Sequence, residues 1–334
     1  MPGTRQLLAI ALVAIGALWL LIEIGFVPPS LTRALLHWWP LLLVGFGLDL
    51  AIPASKRGPA PITVYAAAAI LLIALTTRGQ TPTTPEAAYR QPLPANARSM
   101  TAIIELGSVK SSLGPADPGV AVNAEFDAHA PSKVELTGAT DLQFELRRPR
   151  STLFDFSRSE WQVQLTPEVP LTLDLRTGSG TANVDLRQFD ITSLIVDSGS
   201  GSTHLQLPGG GTYYRADVGT GSGSTNLTVD AGASLDLILQ TGSGSVNVAI
   251  DEGTDLQLVL ATRSGAVTLD LPDDAPIRVE IQDDGSGRVR LPNYLNRRSG
   301  TGDTGTWQSQ TYERGGRVIN ITVVDVGSGS ITFR

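Results

Sequence analysis

Glycine and serine recur in short phrases through the C-terminal half of the chain, and loops of this composition are candidates for phosphate binding. The clear copies are TGSG at 177–180, DSGSGS at 197–202, GTGSGS at 219–224, TGSGS at 241–245 and GSGS at 327–330. None of them matches G-x-x-x-x-G-K-S/T or G-x-G-x-x-G, and none opens a helix. None contains the G-x-S-x-G of a catalytic serine elbow. The phrase therefore predicts neither a phosphate site nor a nucleophile.

Adjacent carboxylates offer a second possible chemistry, because a pair of acids can cleave glycosidic bonds. Such pairs occur at 273–274 and 283–284. However, neighbouring residues on a strand point to opposite faces, and acids in turns ordinarily bond their local backbone. Calcium-binding β-rolls place an Asp after each glycine corner. Here Asp197 and Asp217 precede the glycines and do not recur in every copy, so we predict a turn-capping role.

The composition does not indicate a metal site or thiol chemistry. The chain contains no cysteine. The histidines are too far apart in sequence to predict a zinc site, and they are His37, His129 and His204. We predict no metal site and no cofactor.

The interval between the Gly/Ser phrases points to a repeat architecture. Marker glycines are separated by 21, 22, 21, 21 and 22 residues, and they are Gly180, Gly201, Gly223, Gly244, Gly265 and Gly287. Gly329 follows after 42 residues, which equals two further steps. Alternating apolar residues flank most markers, for example Leu235, Leu237 and Leu239. This alternation predicts strands, and the fixed period predicts a solenoid.

These patterns predict an all-β domain at 98–334 built as a single-stranded β-helix with coils of 21–22 residues. Regular coils are expected at 171–292, an irregular cap at 98–170, and an irregular segment with a final strand at 293–334. An antiparallel meander, in which each Gly/Ser phrase is a hairpin loop, is the alternative. The regular interval favours the coil.

The N-terminal residues 1–78 predict a transmembrane region. Apolar stretches suited to helices are found at 7–27, 34–52 and 61–76. A cleaved signal peptide is the alternative for the first stretch. Positive residues near the spans, such as Arg5, Lys56 and Arg57, predict a cytoplasmic N-terminus and a C-terminal domain outside the cell membrane. The Pro/Thr-rich residues 79–97 are expected to be a linker.

Charge separates the same two parts of the chain. Residues 1–80 carry a net charge of +3, and residues 81–334 carry −10. Because phosphate contacts in nucleic-acid complexes demand clustered Lys and Arg, this acidic domain is not expected to bind nucleic acid.

One polar segment, 293–316, interrupts the period. It carries aromatic and arginine residues of the kind enriched where proteins bind partners, and the candidate partner-binding residues are Tyr294, Arg297, Arg298, Trp307 and Tyr312. The alternative is that the segment is an irregular coil in which Trp307 covers the open end of the apolar column. Both interpretations remain open at this point.

Two sequence patterns carry a family resemblance. The pattern WWPLLLVGFGLDL at 38–50 resembles the transmembrane region of LiaI/LiaF-like bacterial cell-envelope stress proteins. The pattern WQVQLTPEVPLTLDLRTGSGTANVDL at 161–186, with the later Gly/Ser corners and the terminal VGSGSITFR, is similar to toast-rack and adhesin-type β-solenoid domains. The resemblance implies a bacterial membrane-anchored envelope protein without known catalysis. LiaF itself restrains a sensor kinase, but no motif in this chain carries that activity over.

Two functions from different classes follow. The first is a non-enzymatic envelope sensor or regulator whose helices engage a membrane partner such as a sensor kinase. The second is an adhesin-like scaffold whose solenoid face binds envelope or cell-wall material. The lipid bilayer is a partner in both, and a carbohydrate-active β-helix enzyme is a distant third.

Overall fold

The structure is a computed structural model, and it describes residues 87–126, 131–147, 160–314 and 316–334. The chain divides into two compact units, and all described residues belong to the unit formed by Pro85–Arg150 and Arg158–Arg334. None of the helices found in these residues has the length and apolar character needed to cross a bilayer. The predicted transmembrane helices lie outside the described residues, at 7–27, 34–52 and 61–76.

Strands dominate the described residues, with one short 3-10 helix at Tyr312–Arg314. The first eleven strands are β1 (Ala87–Pro92), β2 (Ser99–Gly107), β3 (Lys110–Pro115), β4 (Val120–Phe126), β5 (Lys133–Thr137), β6 (Asp141–Arg147), β7 (Glu160–Leu165), β8 (Leu171–Thr177), β9 (Thr181–Asp185), β10 (Ile191–Ser198) and β11 (Ser202–Leu207). The remaining strands are β12 (Tyr214–Thr220), β13 (Ser224–Val229), β14 (Ser234–Thr241), β15 (Ser245–Ile250), β16 (Asp255–Thr262), β17 (Ala266–Asp270), β18 (Ile277–Ile281), β19 (Arg288–Arg290), β20 (Asn296–Ser299), β21 (Gly305–Gln308), β22 (Ile319–Asp325) and β23 (Ser330–Phe333).

The repeats form two parallel sheets. Consecutive repeats place β8, β10, β12, β14 and β16 side by side in a twelve-stranded sheet. They place β9, β11, β13, β15 and β17 side by side in an eleven-stranded sheet. Each repeat is therefore a coil of strand, Gly/Ser corner, strand and turn. The prediction of stacked coils rather than an antiparallel meander is confirmed for these repeats.

Register explains why the apolar residues alternate along each strand. Residues at equivalent positions of successive coils are direct neighbours across the ladder and are buried, as in Leu173, Leu194, Ala216, Leu237 and Leu258. Because successive side chains on a strand point to opposite faces, every second residue joins this apolar column. The residues between them face outward and are polar in most coils.

Close approach of the coils explains the glycine in each corner. A Cβ on Gly201 would lie 1.9 Å from the carbonyl oxygen of Gly180, and one on Gly223 would lie 2.0 Å from that of Gly201. The backbone amide of Gly201 donates a hydrogen bond to the carbonyl of Gly178 at 3.0 Å. Only glycine allows one corner to lie directly on the previous one at this distance.

The threonine or serine before each corner is also structural. The hydroxyl groups of Thr220 and Thr225 are buried and 3.0 Å apart, and they satisfy each other inside the corner. Thr241 occupies the same place in the next coil, where Val246 replaces the second threonine. Its buried hydroxyl consequently has no hydrogen-bond partner among the described residues.

The C-terminal end of the stack differs from the predicted order. The last coil, β22 and β23, lies between the coil of β16 and β17 and the coil of β18 and β19. A Cβ on Gly329 would lie 2.3 Å from the oxygen of Gly265, so Gly329 stacks on Gly265 and not two steps beyond Gly287. The long connection between β19 and β22 lets the chain return to this position.

The N-terminal end shows the same arrangement. Residues 98–170, predicted to be an irregular cap, contain two parallel coils, and the coil of β2 and β3 lies between those of β6–β7 and β8–β9. Beyond these coils, β4 pairs antiparallel with β7 and β1 pairs antiparallel with β4 in one sheet, and β5 pairs antiparallel with β6 in the other. Strand β1 falls inside the segment 79–97, so the part of the predicted linker from Ala87 onward belongs to the folded domain.

Engineered cysteines test the order of the C-terminal coils, because the chain has no cysteine of its own. Val259 and Thr322 are register partners on β16 and β22. Adjacent strands are about 4.8 Å apart, so V259C with T322C is expected to form a disulfide under mild oxidation. In the control pair, V259C with E280C, the two residues are two strands apart, at a total distance of about 9.6 Å. This pair is expected to stay reduced. Mass spectrometry after alkylation distinguishes the two, and cross-linking of the control pair instead would contradict the inserted coil.

Candidate interaction surface

An antiparallel hairpin forms one edge of the twelve-stranded sheet. Strand β21 pairs with β18 on one side and β20 on the other, and β20 is the last strand of the sheet order. Gly300 in the connecting loop has a φ of 97°, and a Cβ there would lie 2.4 Å from Cα of Gly305. The loop therefore requires glycine at this position. We call residues 296–308 the terminal hairpin.

Two of the five predicted partner-binding residues meet in this hairpin. Arg297 and Trp307 are register partners on β20 and β21, and the Arg297 guanidinium carbon lies 5.0 Å from the centroid of the Trp307 ring. Arg297 Nη2 also donates a hydrogen bond to the Thr304 carbonyl at 2.6 Å, and Nε donates to the Ser299 carbonyl at 3.3 Å. The arginine is exposed, yet its guanidinium is held in one place by these contacts.

Trp307 also contributes to the core. Its side chain is partly buried and packs against the hydrophobic cluster, and its register partner on the inner side is the buried Val279. Leu295, just before β20, is buried in the same cluster. The capping role considered for this segment is thus visible in the packing, while the Arg297 side chain is exposed.

The other three candidates are dispersed. Arg298 lies at a register shift between Arg297 and Ser299, and its Nη2 lies 3.5 Å from Glu313 Oε1. The Tyr312 hydroxyl donates a hydrogen bond to Asn320 Oδ1 at 3.0 Å. Tyr294 is 39% exposed, and partial burial, followed by the charges of Asp273 and Asp270, raises its pKa.

The acidic residues weighed for chemistry occupy turns. Asp274 has a φ of 60°, a conformation that Asp tolerates better than most residues. Asp283 Oδ1 accepts a hydrogen bond from the Gly285 amide at 2.8 Å, which is the geometry of a turn-capping aspartate. Within the described ranges no group of His and acidic residues is arranged to hold a metal ion. His204 is the only described histidine, and its Nδ1 lies 3.2 Å from the Asn226 side-chain amide nitrogen.

Arg288 and Arg290 are exposed cations outside the five predicted partner-binding residues. They lie on β19, the last strand of the eleven-stranded sheet, and both are exposed. The alternation Arg-Val-Arg places both arginines on one face of the strand, and this signal was present in the sequence.

Comparison with known families agrees with this architecture. The model of the N-terminal domain of toast_rack matches residues 132–230, and the model of the LiaF transmembrane domain matches residues 7–79. The chain joins a LiaF transmembrane domain to a toast-rack domain. The patterns at 38–50 and 161–186 lie inside the matched ranges, and the resemblance is confirmed; the Gly/Ser corners after residue 230 and the terminal VGSGSITFR lie outside them. The LiaF domain makes this a membrane protein of the cell envelope, and neither family is an enzyme family.

Two solved structures of low sequence identity are similar to this chain over about three quarters of its length. A candidate cell adhesion protein from Clostridium sporogenes aligns with a TM-score of 0.43 and 14% identity, covering 74% of this chain and 98% of its own. A candidate adhesin from Bacteroides fragilis aligns with a TM-score of 0.40 and 10% identity, covering 76% of this chain and 99% of its own. Among curated proteins none matches the chain.

Proposed function

We propose that this toast-rack protein is a non-enzymatic envelope sensor or regulator of the LiaF type, in which the transmembrane domain engages a sensor kinase and the terminal hairpin of the β-domain contributes to the same association. The observation that carries the proposal is the ordered Arg297–Trp307 pair at the open edge of the twelve-stranded sheet, in a chain that also has a LiaF transmembrane domain. The proposal includes three spans, a cytoplasmic N-terminus and an external β-domain, supported by the positions of Arg5, Lys56 and Arg57.

Preorganisation is the physical reason for choosing this pair. Arginine and tryptophan are enriched among residues that dominate binding energy. Arg297 loses little side-chain freedom on binding, because its guanidinium is already held by two carbonyl groups and the indole ring. Strand β20 also leaves one edge without a neighbouring strand among the described residues, and an extended segment of a partner can pair with such an edge.

Quantitative proteomics on the full-length protein, cross-linked in cells and extracted in mild detergent, tests this proposal. A histidine sensor kinase is expected to be enriched relative to an unrelated multi-pass membrane protein. Arg297→Ala is expected to reduce kinase recovery about tenfold, as the loss of a binding hot spot would. Arg215→Ala, which removes the same charge from an exposed position on β12, is the matched control and is expected to leave recovery unchanged.

Two outcomes would reject the regulatory proposal. One is the absence of any kinase above the level of the unrelated membrane protein. The other is equal recovery with Arg297→Ala and Arg215→Ala, which would show that the terminal hairpin takes no part in the association.

An adhesin-like role is the alternative, and the outer face of the eleven-stranded sheet favours it. Asn247 Nδ2 donates a hydrogen bond to Asn226 Oδ1 at 2.9 Å, and Asn226 in turn contacts His204, so polar side chains form a ladder across three coils. A flat array of amide groups suits the hydroxyl groups of a polysaccharide. Retention of the full-length protein on purified envelope material, reduced by Asn226→Ala and not by Arg297→Ala, would favour adhesion.

A further inference from the structure

An exposed groove lies where the last coil reaches the open edge of the eleven-stranded sheet. Its volume is ≈ 390 Å³, and its lining is Ser286, Gly287, Arg288, Arg290, Ser328, Gly329, Ser330 and Thr332. Arg288 is the register partner of Ser330, and Arg290 is the partner of Thr332. Val289 between them is partly buried and packs against the core, which directs both arginines to the outer face.

Both arginines are unneutralised. Neither forms an ion pair within the described part of the chain, and none of the residues lining the groove is acidic. Six other arginines do have a carboxylate partner, and they are Arg90, Arg147, Arg176, Arg187, Arg278 and Arg298. Other described arginines, such as Arg98 and Arg215, also lack an ion pair, so what distinguishes Arg288 and Arg290 is that two unpaired guanidinium groups lie on the same strand. They do so in a region with a net charge of −10 at residues 81–334.

A positive charge on an edge strand can protect the sheet against aggregation, but this role does not explain why Arg288 and Arg290 lack carboxylate partners among the described residues. At the opposite end of the stack the edge strands also carry cations. There Lys133 on β5 lies 3.1 Å from Glu135 and also contacts Glu145, and Arg90 on β1 lies 3.7 Å from Asp117. The edge cations at that end are thus neutralised by carboxylates, whereas Arg288 and Arg290 on β19 and Arg297 on β20 have no carboxylate partner in the described part of the chain.

The groove departs from the repeat at the positions of the arginines. Ser330, Ala266, Ser245 and Ser224 occupy the position of Arg288 in the neighbouring coils. Thr332, Thr268, Asn247 and Asn226 occupy the position of Arg290 in the same coils. The outermost coil therefore carries two arginines at strand positions where the neighbouring coils carry serine, threonine, asparagine or alanine.

Hydroxyl groups complete the donor set. Ser330 and Thr332 face outward beside the arginines, and the hydroxyls of Ser286 and Ser328 lie 3.4 Å apart at the corner. The two arginines are separated by about 6.6 Å along the strand, two residues at 3.3 Å each. At this spacing the guanidinium groups and hydroxyls can donate hydrogen bonds to several oxygens of one tetrahedral anion. A planar carboxylate, in contrast, needs only one arginine to fill its two oxygens with hydrogen bonds.

We propose that this groove binds a phosphate group of an envelope component, either a phosphodiester of an anionic polymer or a lipid headgroup. Arg288 and Arg290 supply charge-assisted hydrogen bonds, and Ser330 and Thr332 supply neutral ones. The terminal hairpin has no residue in this groove, so this proposal and the regulatory one stand or fall independently.

Binding is measured with the full-length protein in nanodiscs of zwitterionic lipid, using fluorescently labelled poly(glycerol phosphate) as the probe. The double variant R288Q/R290Q is expected to weaken binding about tenfold or more, because each charge-assisted hydrogen bond is worth more than a neutral one. Thr332→Val is expected to weaken it about threefold. The matched control R98Q/R215Q removes two exposed charges outside the groove and is expected to leave affinity within about twofold.

Two further measurements show whether the phosphate comes from a polymer or a lipid, and whether the groove prefers phosphate to carboxylate. Vesicles containing phosphatidylglycerol replace the polymer in one arm, and binding there that R288Q/R290Q abolishes supports a phosphate site that takes lipid headgroups. Hyaluronate, a carboxylate polymer, is the anion control. The proposal is overturned by equal loss in R98Q/R215Q, by equal affinity for hyaluronate, or by the absence of binding to both phosphate probes. Unchanged melting temperatures confirm that the variants are folded.

Discussion

Replacement of Gly223 by alanine is expected to destabilise the β-domain by about 3 kcal/mol or more. The added Cβ would lie 2.0 Å from the carbonyl oxygen of Gly201, and the next corner, Gly244, already lies on Gly223 from the other side. Neither neighbour is a flexible side chain, so two coils must separate to admit the methyl group. Chemical denaturation followed by circular dichroism measures the loss.

Gly114→Ala is the matched control for this prediction. Gly114 lies on β3, and a Cβ there would have no heavy atom within 4 Å. Its replacement is expected to change the free energy of unfolding by less than about 0.5 kcal/mol. Equal effects at Gly114 and Gly223 would contradict the stacking explanation of the Gly/Ser phrase.

Replacement of Trp161 by alanine is expected to destabilise the domain by about 3–5 kcal/mol. Trp161 is fully buried on β7, and its ring meets Phe126 edge to face with centroids 5.2 Å apart. Removing the indole leaves a cavity between the parallel coils and the antiparallel strand β4, where the fold cannot readily collapse. Thermal or urea denaturation of the purified protein provides the measurement.

Trp307→Ala tests the difference between a core tryptophan and a surface one. Trp307 is only partly buried, and it loses packing together with a cation–π contact to Arg297. A loss of about 1–2 kcal/mol is expected, clearly below that of Trp161. A loss as large as that of Trp161→Ala would show that the terminal hairpin is a structural element of the core and would weaken its proposed role in partner binding.

The sequence predicted the coil well because its signals are local. Alternation of apolar residues specifies strands with one buried face, and small residues at intervals of 21 or 22 mark the corners. Each of these signals depends on a few neighbouring residues, so the strands from β8 to β17 were predictable without tertiary information.

The candidate site was predictable only in part. The composition of 293–316 drew attention to the right segment, but only the structure could show that Arg297 and Trp307 are cross-strand partners while Arg298 pairs with Glu313. Arg288 and Arg290 gained significance through Ser330 and Thr332, which lie more than forty residues later in the chain.

The sequence by itself determined the fold class, the coil length, the glycine corners and the family resemblance. Only the tertiary structure decided the order of the coils at both ends. The physical reason is that coils of nearly equal length with similar glycine corners can stack in more than one order with the same register. Gly329 fits on Gly265 as Gly287 would, and the repeat period does not distinguish the two arrangements. The choice depends on contacts between distant segments, and those contacts also place Ser330 and Thr332 beside the unpaired arginines.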